Sequence, residues 1–147
     1  MTRPGLAAFA IRACPAALVM AAIFYFSHQT GDDLNSLLPW FQRWVPSMMS
    51  FDWGHFVSYF GLALAFLWAF GESRPSWRTQ AAVVLLCGLY GLTDEYHQRF
   101  VPGRSPDLAD LRNDMIGAAL AMLFVRLPGI SALFSFLVRR LIPGARR

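Results

Sequence analysis

The chain contains no lysine; all thirteen of its basic residues are arginine. Charge of either sign is scarce, at 15% of residues against about 25% in ordinary soluble domains. With 56% hydrophobic residues and a mean hydropathy of +0.40, the 147 residues are too apolar for an ordinary water-soluble fold of one domain's length. No basic stretch is interleaved with aromatics, so a nucleic-acid partner is not expected despite the net charge of +4. Cysteine is almost absent. Cys14 and Cys87 both lie within apolar runs, which argues against a disulfide or a zinc site. The first apolar run is followed by Ser27-His28-Gln29-Thr30, without a small-residue cleavage site, so it is expected to persist as a helix.

The apolar residues fall into four blocks, at about 6–27, 54–70, 80–96 and 111–127. The shortest is about 26 Å long at the helical rise, just enough to cross a hydrocarbon core about 30 Å thick. The expected fold is therefore all-α: one polytopic membrane domain over 1–147 with four transmembrane helices. Two further segments are expected to lie on the membrane surface. Leu34, Leu37, Leu38, Phe41, Trp44 and Val45 recur at helical spacing after the first block, with Pro39 starting or kinking any helix there. The tail from Ile130 to Ile142 repeats the pattern and ends among Arg139, Arg140, Arg146 and Arg147, a composition suited to an anionic leaflet.

Orientation follows from the arginines. A four-helix path places Arg3, Arg12, Arg74, Arg78, Arg126, Arg139, Arg140, Arg146 and Arg147 on one side and Arg43, Arg99, Arg104 and Arg112 on the other. The arginine-rich side, with both termini, should be cytoplasmic. Eight of the nine acidic residues fall on the opposite side, only Glu72 remaining inside. All three histidines, His28, His55 and His97, lie at outer helix ends.

Acidic and amide groups converge at that same level, and ionisable groups at membrane depth are costly enough to mark a functional site by default. His55 and Tyr59 are four residues apart; Asp94 precedes His97 by three and Gln98 by four; Asp110, Asp114 and Gly117 share a helix face. Three helix ends can thus line one pocket, with Arg104 held over it by the turn-rich Phe-Val-Pro-Gly-Arg-Ser-Pro loop, its planar fork suited to phosphate or carboxylate. Two structural readings stay open: Glu95 and Arg99 at helical spacing as a surface pair, and Asp110 as a helix N-cap. His28 and Asp52 stand at loop edges, where solvation is the simpler reading. Gly117 and Ala121 form a small-xxx-small pair suited to close helix packing. Neither Ser58 nor Ser105 stands in a nucleophile motif. A metal among His55, His97 and the aspartates is open, but no metal-ligand motif is present, and no metal or cofactor is assigned.

The stretch DEYHQRFVPGRSPDLADLRNDMIGAALA resembles the hallmark of VanZ-like membrane proteins: an Asp-Glu-x-His-Gln run, a Pro-Gly-Arg turn, then an aspartate and a polar residue ahead of Gly-Ala. Those positions here are Asp94, Glu95, His97, Gln98, Pro102, Gly103, Arg104, Asp110, Asp114 and Gly117. Phe26-Ser27-His28-Gln29 and Asp52 with His55, Phe56 and Tyr59 are similar too, so the likeness runs from about Phe26 to Ala121. It departs at Asp114, where asparagine is usual, and at Trp53, where a lysine often follows Asp52. The resemblance implies a multi-helix membrane protein with a cell-envelope role, the namesake being linked to low-level resistance to the glycopeptide teicoplanin.

The expected function is an extracytoplasmic pocket in a bacterial cytoplasmic (inner) membrane protein. It would recognise a membrane lipid, a lipid-linked envelope precursor or a glycopeptide through His55, Tyr59, Gln98, Arg104 and Asp114. The enzymatic alternative uses Asp94, Glu95, His97 and Asp110 for acid-base chemistry on an anionic envelope lipid. A small transporter fares worst, because transporter sites usually lie near the midplane whereas these candidates lie toward one end. Self-association is compatible with the sequence. Topology is the first expectation to check: reporter fusions after Arg78 and Arg126 should be active only in the cytoplasm and fusions after Arg43 and Arg104 only outside, and a reversed pattern would overturn the orientation.

Overall fold

The computed structural model describes residues 6–44, 46, 53–142 and 145. Asp52, Arg3, Arg146 and Arg147 lie outside the described residues, as does Val45. Among those described there are six helices and no strand: α1 (Leu6–Ser27), α2 (Gly31–Gln42), α3 (Trp53–Phe70), α4 (Trp77–Gln98), α5 (Leu108–Val125) and α6 (Pro128–Leu141). The all-α expectation holds. The four apolar blocks coincide with α1, α3, α4 and α5, and the two amphipathic segments with α2 and α6.

Helix α3 is the hub, packing against α1, α4 and most extensively α5. Tyr59, Leu62, Ala63 and Leu67 from α3 meet Ile23 from α1, Val83 and Cys87 from α4, and Ala118, Ala121, Met122 and Val125 from α5. The distribution of burial is the reverse of a soluble protein's. Leu85, Leu89 and Leu123 are each more than half exposed, whereas Asp114 is fully buried. Outward leucines suit a hydrocarbon solvent, and a polar side chain in such a solvent must find its partners inside the bundle.

By length and composition two helices can cross a membrane, Phe9–Ser27 and Trp53–Phe70; a third span is possible if α5 and α6 are taken as one bent unit. Helices α4 and α5 are as long but carry charge, Arg78, Asp94 and Glu95 on the first and Asp110, Arg112 and Asp114 on the second.

Local chemistry sets the boundaries. Thr30 and Asp33 form a reciprocal cap at the start of α2: the Asp33 amide donates to Thr30 Oγ1 at 3.2 Å, and the Thr30 amide to Asp33 Oδ2 at 3.2 Å. The Thr30 hydroxyl, donating to the same carboxylate at 2.7 Å, holds the exposed Asp33 carboxyl below its usual range. Helix α2 continues through Pro39. Ser76 caps α4, accepting from the Thr79 amide, and Asp107 caps α5, accepting from the Ala109 amide. Pro128 opens α6, which turns 87° from α5. Ser135 Oγ then ties α6 to the Ser73 carbonyl in the α3–α4 turn.

At the arginine-rich end, Arg126 donates to Gln80 Oε1 at 2.7 Å and lies 3.3 Å over the Trp77 ring, joining α5 to α4. Midway along the bundle, Tyr90 Oη donates to the Met20 carbonyl at 2.6 Å, joining α4 to α1. Helices α5 and α3 approach closely at Gly117. A Cβ on Gly117 would press into the Phe56 backbone, 3.0 Å from its Cα. Gly117→Ala should therefore cost about 1–3 kcal/mol, because backbone cannot yield as a side-chain tip does. Gly61→Ala, where nothing lies within 4 Å, should be neutral or slightly stabilising. Thermal unfolding of both variants in detergent checks this; equal effects would remove the close-packing argument.

Candidate functional site

Four helix ends meet at one end of the bundle: the C-termini of α1 and α4 and the N-termini of α3 and α5. His55 comes from the first turn of α3. Its Nδ1 lies 2.9 Å from Asp114 Oδ1, and its Nε2 lies 3.5 Å from Asp110 Oδ2. One imidazole thus sits between two carboxylates spaced one turn apart on α5. Asp110 is not the N-cap of its helix, a place Asp107 takes; it occupies the first turn and faces His55.

A second chain of contacts runs from α1 to the loop. Ser27 Oγ donates to Asp94 Oδ2 at 2.8 Å, Gln98 Nε2 donates to the same oxygen at 3.3 Å, and Arg104 Nη2 donates to Gln98 Oε1 at 3.0 Å. The loop is shaped for this. Pro102 and Gly103 occupy the centre of a turn closed by the Arg104 amide donating to the Val101 carbonyl at 3.1 Å, and Gly103 takes φ +73°, the left-handed conformation that favours glycine at this place in a turn. Arg104 therefore joins the polar cluster through Gln98.

Glu95 turns inward. Its Oε2 accepts from the Asp107 amide at 2.7 Å, fastening the start of α5 to the end of α4. Arg99 instead lies 5.9 Å from the Tyr96 ring centroid, so the surface-pair reading of Glu95 and Arg99 gives way.

Not every expected residue joins the cluster. His97 projects sideways, 3.2 Å from His28 through ring nitrogens and 4.3 Å from the Phe24 ring by centroids. The histidine placed among the carboxylates is His55. Tyr59 is fully buried directly beneath it on α3, its ring 6.2 Å from that of Tyr90. Ser58 is spent on its own helix, donating to the Gly54 and His55 carbonyls.

Several contributors escape sequence reasoning. Ser27 stands at the end of an apolar run with nothing to mark it as the partner of Asp94. Gly91 lies one turn before Asp94, where a Cβ would come within 2.8 Å of Asp114 Oδ2, so its role is to make room for a carboxylate on another helix. The periodic spacing of Gly91, Asp94 and Gln98 on one face was the available signal.

Buried polar atoms normally have hydrogen-bond partners. At this end four lack one, Tyr59 Oη, Asp94 Oδ1, Glu95 Oε1 and Asp114 Oδ2, and at the opposite end Ser73 Oγ lacks one too. The arrangement is a carboxylate-rich cluster with one imidazole between two carboxylates and one guanidinium at its edge, and its orphaned oxygens can accept protons, donors or a cation.

The geometry defines a membrane protein with a polar site at one end of its helices. A model of the VanZ/LLP1 family matches residues 13–133, and the chain belongs to that family. A stretch of 70 residues, 47% of this chain, is 39% identical to an uncharacterized protein of the fission yeast Schizosaccharomyces pombe, C11E3.10, of which it covers 42%. The chain thus matches less than half the length of that relative. No solved structure matches.

The two carboxylates flanking His55 should differ in their structural weight. Asp114→Ala removes the partner of a buried imidazole and should destabilise by about 1–3 kcal/mol. Asp110 is partly exposed, and Asp110→Ala should cost less than about 1 kcal/mol, mainly through the lost interaction with the helix N-terminus. Denaturation of both variants in detergent separates them; an equal loss would mean that Asp114 does not anchor the site.

Proposed function

We propose that this polar end recognises the anionic headgroup of a membrane lipid or lipid-linked precursor at the membrane surface. The helices α1, α3, α4 and α5 would all span the bilayer with the site on the extracytoplasmic side. The observation that carries the reading is the chain Arg104–Gln98–Asp94–Ser27. It holds a guanidinium at the edge of a buried polar cluster, where a headgroup would meet it while the lipid tail lies along the exposed leucines of α4 and α5. In the four-span arrangement the charges of α4 and α5 sit near helix ends, where the bilayer core gives way to headgroups.

Both termini would then be cytoplasmic. In a bacterial cell the membrane concerned would be the cytoplasmic membrane, and any contribution to teicoplanin resistance would act through the lipid-linked precursor. A relative in a fungus, a cell without peptidoglycan, favours a lipid headgroup over a glycopeptide as the common ligand. A second reading, that the site also transforms the bound lipid by acid-base chemistry, is favoured by the placement of His55 between Asp110 and Asp114.

The test is a strain set carrying the deletion, wild type, Asp94→Asn, His55→Ala, Arg104→Ala and Asp110→Asn, with insertion verified and membrane lipids and envelope precursors profiled by mass spectrometry. Deletion should shift one phosphate-bearing lipid or precursor, and Arg104→Ala should reproduce the shift. If the inserted variants all match wild type, the polar cluster is structural and the reading fails. If the purified protein turns over the shifted lipid, the enzymatic reading prevails, and His55→Ala should lower that rate by at least about 100-fold.

A further inference from the structure

We propose that His55, Glu95 and Asp110 form a divalent-cation site. Each offers a ligand atom, and these atoms lie within 4.8 Å of one another. They come from three helices, α3, α4 and α5, so the cluster is a product of tertiary packing and not of a charged run.

The imidazole is already arranged as a ligand. Hydrogen bonding of Nδ1 to Asp114 Oδ1 at 2.9 Å fixes the ring, and in the neutral imidazole it places the proton on Nδ1 and leaves the Nε2 lone pair facing Asp110 Oδ2, 3.5 Å away. A metal-bound histidine usually makes this same second bond to a carboxylate, which sets its tautomer and orientation. Two ligand atoms on one ion at about 2.1 Å each stand roughly 3.0–3.4 Å apart, so His55 and Asp110 are close to their bridged separation as they stand.

Glu95 supplies the independent sign. It is 7% exposed and its Oε1 has no hydrogen-bond partner, although Oε2 is held by the Asp107 amide. A buried carboxylate oxygen left bare is costly, and a cation between it, His55 and Asp110 removes that cost. It would also balance the negative charge gathered by Asp94, Glu95, Asp110 and Asp114 around a single imidazole.

One imidazole and two carboxylates suit Mn²⁺, Zn²⁺ or Fe²⁺ better than Ca²⁺. Three protein ligands leave coordination positions open toward the edge of the cluster, where Arg104 lies. There the ion could take a phosphate oxygen, which would explain how an acidic cluster admits an anionic headgroup. That last role rests on the function proposed above; the ion site does not.

The experiment uses the full chain in detergent, stripped with a chelator and titrated with Mn²⁺ followed by electron paramagnetic resonance, with Zn²⁺ stoichiometry by elemental analysis. Wild type should bind one ion per chain. Glu95→Gln, which preserves shape, should weaken binding at least tenfold. Asp114→Asn should weaken it about 10–100-fold by freeing the ring. The nitrogen coupling of a histidine ligand in the bound Mn²⁺ spectrum should vanish in His55→Ala and persist in His97→Ala and Ser135→Ala. Absence of stoichiometric binding by folded wild type would overturn the site, as would binding indifferent to Glu95→Gln or a nitrogen coupling that survives His55→Ala. A separate arm measures binding to vesicles with and without phosphatidic acid, in the presence and absence of Mn²⁺. If the ion binds as described but the vesicles show no dependence on it, the site stands and the headgroup reading falls.

Discussion

Asp114 has no exposed surface, and a carboxylate so placed in a membrane domain can be tolerated only if the fold is organised around it. Its partner is His55, on the helix that every other membrane-length helix touches. Holding those two side chains 2.9 Å apart requires α3 and α5 to approach closely. The packing supplies that approach one turn further along α5, where Gly117 lies on the Phe56 backbone, and α4 leaves room for the carboxylate with Gly91. The polar contact and the two glycines are parts of one arrangement: without the close approach the imidazole and carboxylate would each be stranded, and without the contact the approach would bury an unpartnered charge.

The two ends of the bundle solve the same problem with different chemistry. At the arginine-rich end, Arg126 meets the neutral amide of Gln80 and the Trp77 ring, and Ser135 meets a backbone carbonyl. Those contacts use a neutral amide, a ring face and a carbonyl and involve no carboxylate. At the other end the contacts are made by carboxylates that keep an oxygen in reserve. The carboxylates thus gather at the end where α1 and α4 finish and α3 and α5 begin, and the two ends of the bundle differ in charge.

Much of this was legible in the sequence because bilayer solvation writes long apolar blocks and isolates their polar ends. The positions of α1, α3, α4 and α5 and the helical character of α2 and α6 followed from that, as did the gathering of His55, Asp94, Asp110, Asp114 and Arg104, whereas the family followed from the Asp94-to-Gly117 motif. What did not follow were relations between helices. Spacing along α4 put Asp94 and His97 on neighbouring positions, but only packing shows that Asp94 faces Ser27 on α1 while His97 turns to His28. Likewise Glu95, read against Arg99 along the helix, is claimed by the Asp107 backbone amide across the loop. Nor could helix periodicity choose between His55 and His97 as the imidazole of the site, since both lie at the same membrane level.

The lengths of the helices carry one more consequence. Helices α3 and α5 have 18 residues each, about 27 Å at the helical rise, whereas α4 has 22, about 33 Å. In the four-span arrangement the two short helices carry His55, Asp110 and Asp114, so this side of the protein is shorter than a typical hydrocarbon core of about 30 Å. Lipids beside α3 and α5 must shorten to match, at a cost of a fraction of a kcal/mol per Å. On the proposed reading the bilayer would therefore dip beside the polar end, and membrane thickness itself would set how near phosphate groups come to Arg104.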